Sequence, residues 1–388
     1  MNKAVSNFLA LARWAAALAV LITHAGQMIQ ISDIMVAQHG LGVYAWWFLS
    51  GFSHQAVLIF FVISGFLVGG ELLRRLDRTD LFLGRYLIDR FSRIYIVMAP
   101  VLAYGFAIDF LGRRLFPNSG IYDGAFFDGV FNPINILWTL LQQQNLWARQ
   151  AGTNGALWSL ACEMWYYVTF PLLLLPLFRA YSLGVRLTGF VCGALAAIVM
   201  SMPESFFLFG YGVWAFGALI RVAPRPLIKS AWLSFGVFLA TIALTRLGVR
   251  GPLVAAHPLV STLADAAVAG AFGNLLLSLR FAADGGLFAN LSPIHKRLSD
   301  FSYSLYATHA PLVFFVWAGA GSLLGQEWYK QLPTPLHWTL TFALIAGSVA
   351  IAYGFSRLTE ARTGRLRDFL RETLLAPDSA GIVAEHSN

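Results

Sequence analysis

Charged residues are scarce in this chain. Asp, Glu, Lys and Arg make up 12% of its 388 residues, whereas soluble domains carry about 25%. A water-soluble globule of this length needs more charge to cover its surface. Hydrophobic residues reach 58%, and the mean hydropathy is +0.65. The composition therefore excludes the soluble classes and predicts a polytopic membrane protein.

Cysteine is rare, and several common motifs are absent. Cys162 and Cys192 both lie inside apolar runs, which predicts inert core thiols and neither a disulfide nor a metal site. The sequence has no repeat of about 20–50 residues and no glycine-rich phosphate loop, so nucleotide hydrolysis is not expected. A basic soluble domain is also absent. The net charge of +8 is therefore interpreted as a topology feature and not as nucleic-acid binding.

Long apolar runs dominate what is present. A spanning helix needs about 20 mostly apolar residues. Ten runs qualify, at roughly 7–29, 53–72, 92–111, 157–178, 184–201, 205–220, 230–247, 259–279, 299–322 and 335–356. These runs predict an all-α fold, a polytopic bundle of about ten transmembrane helices.

The basic residues orient this bundle. Ten spans place both termini on one side of the membrane. Of the 27 Lys and Arg residues, 20 fall in segments on that side and six on the other, while Arg13 lies within a span. Basic residues concentrate in cytoplasmic loops. The sequence therefore predicts that both termini are cytoplasmic.

Two ionisable residues lie inside the first span. Arg13 and His24 are eleven residues apart, which places them on one helix face about 16 Å apart along the axis. Ionisable groups within a bilayer are costly and mark functional sites. The alternative interpretation is a pair of interhelical hydrogen-bonding groups that stabilises the bundle.

Further polar residues lie in the fourth and ninth spans. Ser159 and Glu163 share one face of the fourth span, and Glu163 is expected at the depth of His24, as an orienting carboxylate for a histidine base. A buried, protonated carboxyl group is the alternative. In the ninth span Tyr306 and His309 share a face, and Pro311 is expected to kink the helix.

The second span and the following loop offer a candidate ligand path. Gly65 and Gly69 form a small-residue face, typical of close helix packing but also compatible with a slender ligand. Six arginines lie between the second and third spans, among them Arg90 and Arg93. Grouped arginines suit phosphate groups.

These residues together resemble the acyltransferase-3 family of membrane acyltransferases. The matching motifs are Arg13 with His24, the segment 60–66 (FFVISGF), Arg90 with Arg93, the segment 158–167 beginning WSL with Glu163 and Tyr167, the segment 302–311 with Tyr303, Tyr306 and His309, and Glu360. They occur in order over residues 13–360. The resemblance implies a transmembrane domain over 1–360, with a cytoplasmic tail over 361–388.

The resemblance implies O-acyl transfer from cytoplasmic acyl-CoA, above all acetyl-CoA, to a hydroxyl of a cell-surface glycan or glycolipid, without a metal. The expected location is the bacterial cytoplasmic (inner) membrane, in contact with its lipids and not with nucleic acid. The expected catalytic residues are His24, Glu163 and Arg13, with His24 as general base. The expected donor-binding residues are Arg90, Arg93, Ser64 and Gly65. The expected acceptor-binding residues are Ser159, Tyr167, Tyr303, Tyr306 and His309.

A transporter or flippase is the alternative function. Such proteins also use intramembrane His, Glu and Arg. The sequence shows no inverted repeat and no paired broken helices, which favours the acyltransferase interpretation.

Overall fold

The computed structural model of the protein describes residues 1–29, 40–76, 82–122, 124, 127–203, 205–248, 257–282, 287–291 and 293–375. Within these ranges the regular structure is helical, and the one β feature is an isolated bridge between Gln144 and Ala148. The predicted all-α helix bundle is confirmed.

Fifteen helices make up this part of the chain. The first seven are α1 (Lys3–Ile29), α2 (Leu41–Leu49), α3 (Ser53–Ser64), α4 (Gly70–Leu73), α5 (Leu83–Leu115), α6 (Ile134–Leu140) and α7 (Trp158–Leu174). The others are α8 (Leu183–Ser201), α9 (Ser205–Val222), α10 (Ala231–Gly248), α11 (Pro258–Arg280), α12 (Ile294–Ser299), α13 (Ser302–Leu324), α14 (Pro335–Leu358) and α15 (Thr363–Leu374). A π-helical turn, Gly65–Gly69, joins α3 to α4.

Each of the ten predicted spans corresponds to a helix. Among the described residues, nine helical segments are long and apolar enough to cross a membrane, and α9 is apolar but shorter. Helix α5 begins at Leu83, well before the predicted span at 92. The first turns of α5 carry charged residues. These residues are helical, but their low hydropathy left them outside the predicted span. Helix α13 continues through Pro311.

Five helices surround the centre of the bundle. Helix α1 packs against α3 and α13, and α5 packs against α7 and α13. Helices α8 and α10 lie at the periphery. Gly193 and Met200 are the buried residues of α8, and its other side chains are wholly or partly exposed. An apolar helix that exposes most of its surface is suited to contact with lipid tails.

The bundle has two distinct ends. At one end Asn2 Nδ2 donates to the carbonyl oxygen of Leu279 (2.8 Å), and Ser304 Oγ donates to Glu360 Oε2 (2.9 Å). These bonds bring together the starts of α1 and α13 with the ends of α11 and α14, and we call this end the terminal face. The segment 116–157, which includes α6, covers the other end, here called the opposite face.

The segment at the opposite face is only partly helical. Helix α6 ends at Leu140, and an irregular loop follows. Gln142 and Asn145 adopt φ angles of 57° in this loop, a conformation unusual for residues other than glycine. The loop is tied to α7, because the indole N–H of Trp165 donates to the carbonyl oxygen of Gln142 (3.0 Å).

Candidate functional site

A polar chamber lies between the central helices. This inner chamber has a volume of about 150 Å³. Nine of the twelve sequence-predicted site residues line it, and they are Arg13, Ser64, Arg90, Arg93, Ser159, Glu163, Tyr167, Tyr303 and Tyr306. Helices α1, α3, α5, α7 and α13 each contribute at least one of them. The structure therefore brings together residues that are almost 300 positions apart in the sequence.

Glu163 ends a chain of hydrogen bonds in this chamber. Tyr167 donates its hydroxyl proton to Glu163 Oε1 at 2.5 Å, and the Ser64 hydroxyl lies 3.0 Å from that of Tyr167. The indole N–H of Trp214 donates to Ser64 Oγ at 2.9 Å. Because Tyr167 donates its only proton to the carboxylate, Ser64 donates to Tyr167. Three donors in series thus point towards Glu163 and fix its position.

Two arginines of the inner chamber are influenced by a second carboxylate outside its lining. Arg13 and Arg93 line the chamber. The backbone N–H and the hydroxyl of Ser304 both donate to Glu360 Oε2, at 3.1 and 2.9 Å, and hold Glu360 at the terminal face. The negative charge of Glu360 acts on both arginines. A buried cation needs such compensation.

A pair of hydroxyl groups closes the chamber towards the opposite face. Tyr306 donates its hydroxyl proton to the carbonyl oxygen of Ala156 at 2.8 Å, and Ser159 Oγ lies 2.7 Å from the Tyr306 oxygen. Since the Tyr306 proton is engaged, Ser159 donates to Tyr306. The ring of Phe60 packs edge-on against Tyr306 at 5.8 Å. This layer separates the inner chamber from a second cavity.

The second cavity, here called the outer cavity, has a volume of about 300 Å³ and lies towards the opposite face. Its polar lining comprises His24, Gln27, Asn145, Gln150 and Thr153, and its apolar lining includes Trp158 and Phe314. Helix α1 therefore presents Arg13 to the inner chamber and His24 to the outer cavity.

His24 is paired with His309. Nδ1 of His24 lies 2.8 Å from Nε2 of His309, and the two rings are close to parallel, with centroids 5.0 Å apart. Nδ1 of His309 lies 2.7 Å from the carbonyl oxygen of Tyr306. That carbonyl oxygen only accepts hydrogen bonds, so Nδ1 of His309 carries a proton. His309 is 1% exposed, and its ring is held on both sides.

The expected contact between His24 and Glu163 is wrong. In the described part of the chain no hydrogen bond or ion pair joins them, and Glu163 lines the inner chamber instead. Helices α7 and α13 run in opposite directions from the Ser159–Tyr306 contact. Glu163 is four residues from that contact towards the terminal face, and His309 is three residues towards the opposite face. The two side chains therefore start about 10 Å apart in depth.

The expected role of Gly65 in lining a ligand path is also wrong. A Cβ atom at Gly65 would lie 1.7 Å from the backbone carbonyl oxygen of Trp214, and one at Gly69 would lie 2.7 Å from the Trp214 ring. Both glycines face α9 and allow it to approach closely, while the adjacent Ser64 faces the inner chamber. The packing interpretation of this small-residue face therefore holds.

A larger cavity opens at the terminal face next to the inner chamber. This basic vestibule has a volume of about 650 Å³, within the range typical of ligand sites. Its charged lining consists of Arg75, Arg85, Arg90, Arg371, Glu71, Asp89 and Glu372. Leu67, Val68 and Arg90 line both the vestibule and the inner chamber. Both arginines of the predicted phosphate site line the inner chamber, and Arg90 also lines the vestibule, whereas Arg93 does not.

Some site residues were not found from the sequence. Arg371 lies beyond the last apolar run, where hydropathy gives no information. His54 is the partner of the intramembrane acid Asp265, with His54 Nε2 2.8 Å from Asp265 Oδ2. Nothing in the sequence around the start of α3 indicated that His54 pairs with an acid. No group of three or more His, Cys, Asp or Glu side chains suitable for a metal occurs in the described ranges.

The fold and the site define an integral membrane protein with two polar compartments that meet inside a helical bundle. The chain belongs to the acyltransferase-3 family, whose model, described as an acyltransferase domain, matches residues 6–357. This family supports membrane acyltransferase activity and not the transporter alternative.

Two relatives extend this comparison. The chain is 27% identical to "Acyltransferase MdmB" of Streptomyces mycarofaciens over 395 aligned positions, covering 95% of this chain and 94% of that protein. It is 30% identical over 131 positions to an uncharacterized protein of Haemophilus influenzae, covering 32% of this chain and 50% of that protein. No solved structure matches the chain.

Proposed function

We propose that this protein transfers an acyl group, above all acetyl, from acyl-CoA to a hydroxyl group of a cell-surface glycan or glycolipid. One observation carries the proposal. The basic vestibule and inner chamber approach the Ser159–Tyr306 layer from the terminal face, and the outer cavity approaches it from the opposite face with His24 in its wall. A donor and an acceptor entering from opposite ends would meet at this layer.

The hydrogen bonds of the histidine pair support His24 as the general base. Because Nδ1 of His309 donates to the Tyr306 carbonyl oxygen, a neutral His309 has a lone pair on Nε2. That nitrogen accepts from Nδ1–H of His24. A neutral His24 then carries its own lone pair on Nε2, as a general base requires. His309 thus takes the orienting role that the sequence assigned to Glu163.

The transfer step follows from this arrangement. Nε2 of His24 accepts the proton of the acceptor hydroxyl while the hydroxyl oxygen attacks the thioester carbonyl carbon of the donor. The tetrahedral intermediate collapses by breaking the carbon–sulfur bond. The proton held on His24 passes to the departing thiolate, which gives free CoA and the acyl ester. His309 accepts the Nδ1–H bond of the transient imidazolium and stabilises it.

The vestibule is the proposed site for the phosphates of the donor. Guanidinium groups bind phosphate through paired N–H donors, and within the described ranges Nε of Arg90 is buried without a hydrogen-bond partner. Arg90 also joins the vestibule to the inner chamber, where its guanidinium lies 5.9 Å from the centre of the Tyr167 ring. The pantetheine arm would extend from there into the chamber, past Ser64 and Tyr167.

The outer cavity is the proposed acceptor site. The amides of Gln27, Asn145 and Gln150 supply both donors and acceptors, and Trp158 supplies a flat apolar surface. Such a combination suits the hydroxyl groups and ring faces of a sugar. The basic-residue distribution supports an orientation with the outer cavity outside and both termini in the cytoplasm, where acyl-CoA is available. The proposed location is the bacterial cytoplasmic membrane.

Reconstituted protein tests the proposal. We would supply acetyl-CoA on one side and surface glycan from a strain lacking this protein on the other, and measure glycan acetyl esters by mass spectrometry. Loss of a general base removes about 10²–10⁴ of the rate, so His24→Ala should bind CoA but transfer little. His257→Ala is the matched control, because His257 is exposed and lines neither cavity.

Near-native transfer by His24→Ala would refute the assignment of the base. Arg90→Ala tests the donor separately, with an expected rise in the KM for acetyl-CoA of about tenfold. Ester formation without acetyl-CoA would refute the donor assignment.

A further inference from the structure

Helix α15 lies beyond the family match and yet forms a wall of the basic vestibule. The match ends at residue 357, and α15 covers Thr363–Leu374. This helix packs along the start of α5. Its last turn and the residue that follows contribute Arg371, Glu372 and Leu375 to the vestibule lining. The vestibule is therefore incomplete within the matched domain alone.

Arg371 is held at one edge of its guanidinium group. Its Nη2 donates to Asp89 Oδ1 at 2.7 Å, which anchors the last turn of α15 to α5. Its Nε is buried and has no hydrogen-bond partner among the described residues. A guanidinium has five N–H donors in a planar fork, so the bond to Asp89 leaves further donors. Nε of Arg90, in the same cavity, is likewise buried and has no partner in the part of the chain that the structure describes.

The charge of the vestibule favours an anion. Among the residues that the structure describes, four arginines and three carboxylates line it. Glu71 Oε1 lies 3.4 Å from Nε of Arg75, and Asp89 binds Arg371. Burying an N–H donor without an acceptor is energetically costly. Arg90 and Arg371 line the same cavity, so a phosphate bound there has both side chains in the wall around it.

We propose that Arg371 is a donor-binding residue and that α15 completes the phosphate site for acyl-CoA. Asp89 is a positioning residue, because its carboxylate holds the Arg371 guanidinium in the wall of the vestibule. This inference rests on the proposed function, since it takes acyl-CoA as the donor. It adds that the segment after the matched domain is part of substrate recognition.

Equilibrium binding to the full-length, detergent-purified protein tests the inference. Arg371→Ala should weaken CoA binding by about tenfold or more, and Arg371→Lys should restore only part of the affinity, because lysine lacks the planar fork. The matched control is Arg367→Ala. Arg367 lies one turn earlier on α15, pairs with the adjacent Asp368, and does not line the vestibule.

A ligand without phosphates separates recognition from helix packing. Pantetheine should bind wild type and Arg371→Ala equally, since it lacks the groups that Arg371 contacts. Equal weakening of CoA and pantetheine would overturn the inference, because Arg371 would then merely hold α15 in place. Unchanged CoA binding in Arg371→Ala would also overturn it. If wild type itself binds no CoA, the donor assignment in the proposed function fails first.

A lipid headgroup offers the same phosphate chemistry. In nanodiscs containing phosphatidylglycerol, native mass spectrometry would count retained lipid on wild type and Arg371→Ala. Loss of bound phosphatidylglycerol with unchanged CoA affinity would assign the site to lipid and overturn the inference. Displacement of phosphatidylglycerol by CoA in wild type alone would support it.

Discussion

The contact between His24 and His309 gives the most direct test of the proposed mechanism. His309→Leu removes the nitrogen that accepts from Nδ1–H of His24. A buried donor that loses its only partner costs about 1–3 kcal/mol, which corresponds to roughly 5- to 150-fold in rate. The larger end is expected here, because the wrong tautomer of His24 carries its proton on Nε2 and is not a base.

The effect should appear in kcat and not in donor binding. His309 lies on the side of the Ser159–Tyr306 layer away from the vestibule, so the KM for acetyl-CoA should stay close to that of wild type. His309→Gln should recover part of the lost rate, since its side-chain oxygen is able to accept from His24. The assay is acetyl transfer by reconstituted protein, with each variant first checked for monodispersity and CoA binding.

A double-mutant comparison identifies which residue acts through His24. If His309 acts only through His24, the double variant His24→Ala/His309→Leu should be no slower than His24→Ala. Glu163→Gln should add its own loss to that of His24→Ala, because Glu163 is in a different compartment. Additive losses for His24 and His309, or near-native transfer by His309→Leu, would refute the proposal that His309 acts through His24.

Three further predictions concern packing, the inner chamber and orientation. Gly65→Ala should lower the free energy of unfolding by about 3 kcal/mol, because its Cβ would meet a backbone carbonyl of α9. Gly236→Ala should leave it unchanged, since no atom of the described residues lies close to that position. Thermal unfolding in detergent compares the two variants. Arg93→Ala should reduce kcat more than CoA affinity, because Arg93 lines the inner chamber and not the vestibule. In intact cells an impermeant thiol reagent should label Lys330→Cys and spare Arg365→Cys, and the reverse pattern would contradict the orientation.

Hydropathy was sufficient to locate the spans but not the relative depth of residues on different helices. Counting from the end of an apolar run placed Glu163 at the level of His24. The structure shows that α7 begins at Trp158, close to the predicted start, but that this start is level with the hydroxyl layer inside the bundle. Every further residue along α7 then leads away from His24. The vertical offset between two helices depends on packing and loop length, which a single sequence does not encode in any local pattern.

The function of a small-residue face was equally undetermined by the sequence. Gly65 and Gly69 indicated a place where something approaches α3 closely, and the sequence did not specify whether a helix or a ligand does so. Close packing of α9 answers this question. The sequence also did not predict that α15 forms a wall of the vestibule, for another reason. A short, charged helix gives no hydropathy peak, so its contact with α5 depends on tertiary structure alone.

The spacing of Arg13 and His24 was nevertheless informative, because it lies within one continuous helix. Both the shared face and the separation of about 16 Å follow from helix geometry alone. The structure shows that the two residues serve different cavities, because Arg13 lines the inner chamber and His24 lines the outer cavity. Helix α1 thus fixes the distance between Arg13 in the inner chamber and the proposed base, His24. A donor that keeps its phosphates at the terminal face can reach His24 only through a long, narrow arm.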